Sequence, residues 1–345
     1  MQTVFKKKKS NYPSKINYLS LLKNQLMAKF TYTEKKDTRS GFGDALLELG
    51  KSNERIVALT ADLAGSVKMS AFAKAFPERF FDVGIQEANM MGMAAGFTLE
   101  GKIPFAGTFA EFASGRVYDQ VRQSIAYSEK NVKIAASHAG LTVGEDGATH
   151  QALEDMGMMK MLPGMTVINP CDYNQTYRAT LAVAHHKGPV YLRFGRPKVP
   201  NFTPRDMPFE IGKAWIMQEG RDVTIIATGH LVWEAVEATE KLESEGISVE
   251  LINIHTIKPL DEEAVLRSVA KTGAVVTAEE HNRLGGLGES IAGLLATHHP
   301  YPQEFVAVND QFGESGKGEE LMKKYGLDDE AVYKAVKRVL QRKNR

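Results

Sequence analysis

Cysteine is almost absent: Cys171 is the single one in 345 residues. One thiol rules out an intrachain disulfide and suits a reducing compartment, so the expectation is a cytoplasmic protein. No apolar run approaches the roughly 18 residues that a membrane span needs. A strong charge of one sign is lacking too, since the formal net charge is +1. What positive charge there is gathers at the start, where residues 1–30 hold seven lysines and no acid. The remainder then carries about −6, and a mildly acidic body argues against nucleic acid as a partner. Hydrophobic residues make up 43% and charged residues 25%, which lets a chain of this length bury a core without staples.

Residues 1–33 form a basic extension with a short apolar patch at Tyr18–Leu22. A secretory signal wants a longer apolar stretch and a small-residue cleavage site, and a transit peptide wants arginine. Neither is present. The expectation is that Met27 is the natural start and that the residues before it are an upstream translation artefact; the alternative is a disordered basic arm.

From about residue 37, strand and helix patterns alternate. Short β-branched runs at 55–60, 103–107, 132–137, 165–169 and 189–194 predict strands. Helical spacing predicts helices over 39–49, 87–99, 111–127, 151–160 and from Asp172, as N-cap, to about 186. Residues 197–211 contain prolines without periodicity and predict a linker. A second strand–helix series follows, ending in a basic helix over 329–342. The fold class is therefore α/β, as two consecutive parallel-sheet domains, residues 34–196 and 212–345.

In such sheets, ligands bind beyond the carboxyl ends of the strands. Polar clusters fall there after several strands. Residues 137–150 are the richest stretch, with His138, His150, Glu145, Asp146 and three glycines in fourteen residues. A surface turn is the ordinary reading. A metal site of His138, Glu145, Asp146 and His150 is a rival, but no short ligand spacing such as H-E-x-x-H supports it. His185-His186 reads as a solvated helix end. Gly285, Gly286 and Gly288 do not fit a dinucleotide fingerprint. Arg39, Ser66 and Arg196, taken singly, read as surface polar residues. Glu87 is either the ordinary acid of a first helical turn or a buried functional carboxylate.

Several motifs in one order then resemble a known family. FDVGIQEANMMGMAAGF (81–97), PFAGTFAEFASGRVYDQVRQSI (104–125), SHAGLTVGEDGATHQALED (137–155) and HTIKPLD (255–261) are similar to the C-terminal portion of transketolase, with TADLAGS (60–66) and LRFGRP (192–197) in their places. The likeness covers residues 37–340. It implies a pyrimidine-binding domain for thiamine diphosphate followed by a transketolase C-terminal domain. By motif, Glu87 corresponds to the glutamate that bonds the pyrimidine ring nitrogen and drives proton relay through the cofactor. Phe109 and Phe112 correspond to aromatics lining the pyrimidine, and Asp62 and Leu63 to residues along the cofactor's centre. His138 corresponds to a residue contacting donor hydroxyls, Asp146 to one reading the hydroxyl beside the aldehyde, and His150 to a nearby proton-transfer residue. Arg39, Ser66 and Arg196 correspond to positions holding a sugar phosphate.

The sequence departs from complete transketolases in one respect: no Gly-Asp-Gly motif for the metal and diphosphate is present. The resemblance therefore implies the second subunit of a split enzyme. Its implied partner is an N-terminal-half subunit that binds Mg2+ or Ca2+, in an α2β2 assembly, with sugar phosphates as substrates in the pentose phosphate pathway. No metal is expected on this chain. The β subunits of 2-oxo acid dehydrogenases and 1-deoxyxylulose-5-phosphate synthase are the related alternatives, and a non-catalytic regulatory paralogue is the alternative of another class.

Overall fold

The structure is a computed structural model and describes residues 30–343. The basic stretch 1–29, with Met27, lies outside the described residues. Residues 32 onward form one compact unit.

Two sheets organise it. The first is built from β2 (Ile56–Thr60), β3 (Phe80–Asp82), β4 (Ile103–Phe109), β5 (Lys133–Ser137), β6 (Thr166–Ile168) and β7 (Val190–Arg193), all parallel, with β12 (Thr256–Lys258) at one end, in the order β12-β6-β7-β5-β4-β2-β3. Its inner strands are buried along their whole length, as a sheet covered on both faces requires. The second sheet runs β14-β13-β10-β11-β9. There β10 (Val223–Ala227), β11 (Val249–Asn253), β13 (Val275–Asn282) and β14 (Gln303–Val308) are parallel, and β9 (Trp215–Gln218) is an antiparallel edge. Two α/β layers with mostly parallel sheets are the architecture that the alternation of patterns predicts.

Three features lie outside that pattern. The first sheet ends on β12 (Thr256–Lys258), a segment from the second half of the chain that pairs antiparallel with β6. Apolar packing accordingly runs through both halves, joining Val57, Ala136 and Met156 to Ile252, Ile254 and Leu295 in one cluster. The stretch 197–211 opens with β8 (Lys198–Pro200), which pairs with β1 (Lys35–Asp37). Asp172 holds the following residues down: besides capping its own helix through the Gln175 amide (2.8 Å), its carboxylate accepts from the amides of Phe202 (2.9 Å) and Thr203 (2.7 Å). Burial pushes that carboxyl up, and these donors counter it.

Two predicted helices are shorter or broken. The run 111–127 is α-helical over Ala110–Ser114, interrupted at Gly115–Val117, and resumes as a turn and a π-helical stretch, Val121–Tyr127. Such irregularity often marks a functional position, and the interruption contains Arg116. The run 151–160 is helical only from Asp155. Gln151 is drawn out of it because its side-chain amide serves the carbonyls of Leu141, Gly144 and Glu314.

The glycine-rich turn at 285–288 has an internal occupant. The amides of Leu287 and Gly288 donate to the buried carboxylate of Glu279 at 2.7 and 2.8 Å. The anion-binding end of that helix is thus filled by the protein itself.

Candidate functional site

Five neighbouring parallel strands of the first sheet present their carboxyl ends along one rim, in the order β7, β5, β4, β2, β3. At about 4.8 Å between strands, that rim spans roughly 19 Å. Gly195 and Arg196 follow β7, His138 follows β5, Phe109 ends β4, Asp62 follows β2, and the turn after β3 leads into Glu87. The parallel topology is what makes distant sequence segments neighbours here.

Glu87 is the first residue of a helix spanning Glu87–Phe97 and is 3% exposed. Its two carboxylate oxygens both lie 3.0 Å from Nη1 of Arg116. The same guanidinium lies over the Phe112 ring, 3.9 Å from its centroid. Phe109 and Phe112 stack with ring planes 21° apart. Phe109 also stacks on His138, centroids 3.9 Å apart, while His150 meets Phe112 edge-on at 5.4 Å. A chain of contacts between flat groups therefore connects the Glu87–Arg116 pair to the two histidines.

His138 is held with a left-handed backbone (φ 57°) immediately after β5. Arg39 Nη1 faces its Nε2 at 3.4 Å, and Ser137 Oγ lies 2.8 Å from its Nδ1. Arginine can only donate, so Nε2 is the acceptor and the proton sits on Nδ1, donated to Ser137. Burial, reinforced by the cations Arg39, Arg196 and Lys68, pushes the imidazole down to about 3. It is neutral at physiological pH.

The cations are braced by backbone. Arg39 donates to the carbonyl of Ser66 (3.0 Å) and pairs with Asp37 (3.3 Å). Arg196 donates to the carbonyl of Val143 (2.7 Å) and lies 3.6 Å from Asp146. Asp146 and Glu145 are exposed on the loop. Arg39, Arg196, Ser66, His138, Asp146, Phe109, Phe112 and His150 thus form one connected constellation. Leu63 and Phe112 both pack against the same buried apolar cluster. Asp62 is exposed at the β2 end (φ 59°), its amide bonded to Asp82 of β3. Among the described residues, the acids whose donor atoms converge closely enough for a metal are Glu234, Glu237 and Asp329, not the histidines and acids of residues 138–150.

Residues 34–201 match the family described as transketolase, pyrimidine binding domain, and residues 212–332 match the transketolase C-terminal domain. The chain belongs to the transketolase family. It is 47% identical over 304 residues to a transketolase C-terminal section of Methanocaldococcus jannaschii, covering 87% of this chain and 95% of that protein. It is 46% identical over 306 residues to the 6-deoxy-6-sulfo-D-fructose transketolase subunit SqwH of a Clostridium species, covering 89% and 95%. Among solved structures, a split gene transketolase described as an inactive beta4 tetramer superposes with a TM-score of 0.83 at 49% identity, covering 88% and 98%. Against human transketolase the identity is 36%, and the chain spans 49% of that protein's length. The chain thus matches nearly the whole length of the first two relatives and of that solved chain, and about half of human transketolase.

Arg116 is the residue that reading the sequence missed. Its signal was a lone guanidinium in an otherwise small and apolar stretch, Phe112–Val117, one turn from an aromatic.

Proposed function

We propose that this chain is the pyrimidine-side subunit of a thiamine-diphosphate-dependent transketolase, moving a two-carbon ketol unit from a ketose phosphate to an aldose phosphate. The observation that carries the reading is Glu87: a carboxylate 3% exposed, opening a helix beside two stacked aromatic rings. That donor set suits a flat, protonatable heterocycle, with one charged acceptor at its edge and aromatic faces against its plane. When bound, thiamine diphosphate supplies the nucleophilic carbon and the electron sink for carbon–carbon bond cleavage.

The chain's own residues have separate tasks. Glu87 holds a proton against the pyrimidine edge, and Phe109 and Phe112 hold the ring's plane. Asp62 and Leu63 flank the cofactor's middle. His138, neutral with Nε2 as acceptor, hydrogen-bonds a donor hydroxyl; Asp146 reads the hydroxyl beside the acceptor's aldehyde, and His150 assists proton transfer. Arg39, Arg196 and Ser66 hold the anionic tail of the sugar. A relative acting on a sulfo-sugar and this cation cluster both support a substrate with an anionic terminus, which includes the phosphates of the pentose phosphate pathway.

The diphosphate, with Mg2+ or Ca2+, belongs to a partner subunit in an α2β2 assembly. Purified chain with thiamine diphosphate and magnesium should be inactive on xylulose 5-phosphate plus ribose 5-phosphate, and should gain activity on adding the N-terminal-half subunit. Full activity of the lone chain refutes the proposal.

A further inference from the structure

The second half of the chain reaches into the site. Glu280, on β13, is 2% exposed. Its Oε1 accepts the amide of Thr142 at 2.7 Å, inside the loop that carries His138, Asp146 and His150. Its Oε2 lies 3.5 Å from Nδ1 of His230, a nitrogen with no hydrogen bond. The imidazole of His230 in turn packs on Gly195, the residue before Arg196, so closely that a Cβ there would collide with it.

The loop's glycines record the same contact. Gly140, Gly144 and Gly147 all have positive φ. A Cβ on Gly140 would strike the Glu280 carboxylate, one on Gly147 would strike the Ser315 hydroxyl, and one on Gly144 would press on the Gly316 carbonyl. Each glycine of the loop thus faces an atom from the second half of the chain. Gln151 adds a bond from its amide to the Glu314 carbonyl at 3.0 Å.

We propose that Glu280 is a positioning residue: through its bond to Thr142 the C-terminal domain fixes the loop 138–151 and so sets the site's grip on the sugar. Pinning a loop by a buried hydrogen bond removes conformations that would misplace its side chains, and small misplacements are costly in rate. The inference rests on the transketolase reading for its kinetic consequence only.

Reach and charge separate in two conservative variants. Glu280→Gln keeps the acceptor at the Thr142 amide and gives His230 Nδ1 a donor. Glu280→Asp keeps the charge and withdraws the acceptor by one methylene. Amide exchange of the full chain is the first readout. In Glu280→Asp the Thr142 amide should exchange at least about tenfold faster than in the native chain, and in Glu280→Gln within about threefold. In the enzyme assembled with its partner, Glu280→Asp should raise KM for the ketose phosphate about tenfold with kcat within about threefold, and Glu280→Gln should restore the native KM. Unchanged Thr142 exchange in Glu280→Asp overturns the proposal. So does a Gln variant as impaired as the Asp variant, or an Asp variant with loosened exchange and native kinetics. If the native chain shows no transketolase activity with any partner, the functional reading fails and the exchange arms still decide the role of Glu280.

Discussion

Nη1 of Arg116 is equidistant, at 3.0 Å, from both carboxylate oxygens of Glu87, and its guanidinium covers the face of Phe112. Arginine here makes the same two kinds of contact that a protonated heterocycle makes, an edge hydrogen bond to a carboxylate and a stack on an aromatic. Glu87 is 3% exposed while the Arg116 side chain is 47% exposed. The carboxylate therefore bears the larger desolvation, and the arginine offsets it from the solvent side.

Removing Arg116 leaves a buried carboxylate without its cation. Arg116→Met should lower the stability of the free chain by about 1–3 kcal/mol. Because replacing both partners avoids an orphaned charge, the double variant with Glu87→Gln should recover much of that loss. Thermal melts of the four proteins check this, and a single variant melting with the native chain removes the ion pair from the account.

Glu87→Gln keeps shape and burial but loses the charged acceptor. The assembled enzyme should lose about 10²–10⁴-fold in rate, while the free chain keeps its fold by circular dichroism. A variant with native rate and native cofactor affinity would take the proton-relay role from Glu87.

The cations along the rim should act on the sugar's tail. Arg196→Ala should raise KM for a ketose phosphate by about 10–100-fold, the value of one charge-assisted contact of about 1.5–3 kcal/mol. The same variant should leave KM for an unphosphorylated ketose within a factor of about three. Equal losses on both substrates would mean that Arg196 supports the loop through the Val143 carbonyl rather than holding an anion.

Acid should destabilise the free chain. Burial pushes His138 down to about 3 and both His255 and His281 to about 4, from an ordinary value of 6.5. Their neutral forms contribute stability that is fully present above pH 6.5 and is lost as pH falls through about 4, because the unfolded chain takes up the protons first. Glu279 and Glu234, raised to about 7 by burial, act oppositely between 4.5 and 7 and blunt the effect. Asp172, Glu111 and Glu240, also raised by burial, act with these two carboxyls, whereas His186 and the ion-paired Glu219, Glu245, Glu304, Glu314 and Glu330, all lowered, act with the histidines; with that balance the thermal midpoint should fall from pH 7 to pH 4. His138→Gln should flatten that slope; a midpoint constant across the range contradicts the burial of these rings.

Local signals carried much of the architecture in the sequence. The buried strand Ile56–Thr60 is legible because a strand covered on both faces must be apolar throughout, and Asp172 is legible as a cap because capping depends on residues three apart. What escaped was non-local. The three residues of β12 look like any short extended run, and their pairing with β6 is set by how the second half of the chain folds back. The break at Gly115–Val117 and the withdrawal of Gln151 from its helix depend on partners 29 and 163 residues away. Among site residues, Arg39, Ser66 and Arg196 were bland singly, since they come from a helix's first turn, the turn after β2 and the turn after β7, and only the tertiary fold brings them around His138.

The position of β12 has a practical corollary for anyone cutting this chain in two. Shortening it at residue 211 would strip a strand from the end of the first sheet and bare the backbone of β6 along with the apolar surface beneath it. An uncovered strand edge next to exposed apolar side chains invites aggregation. The smallest portable fragment is therefore the pair of sheets together, and a gene fission that separated them would yield an insoluble product rather than a smaller enzyme part.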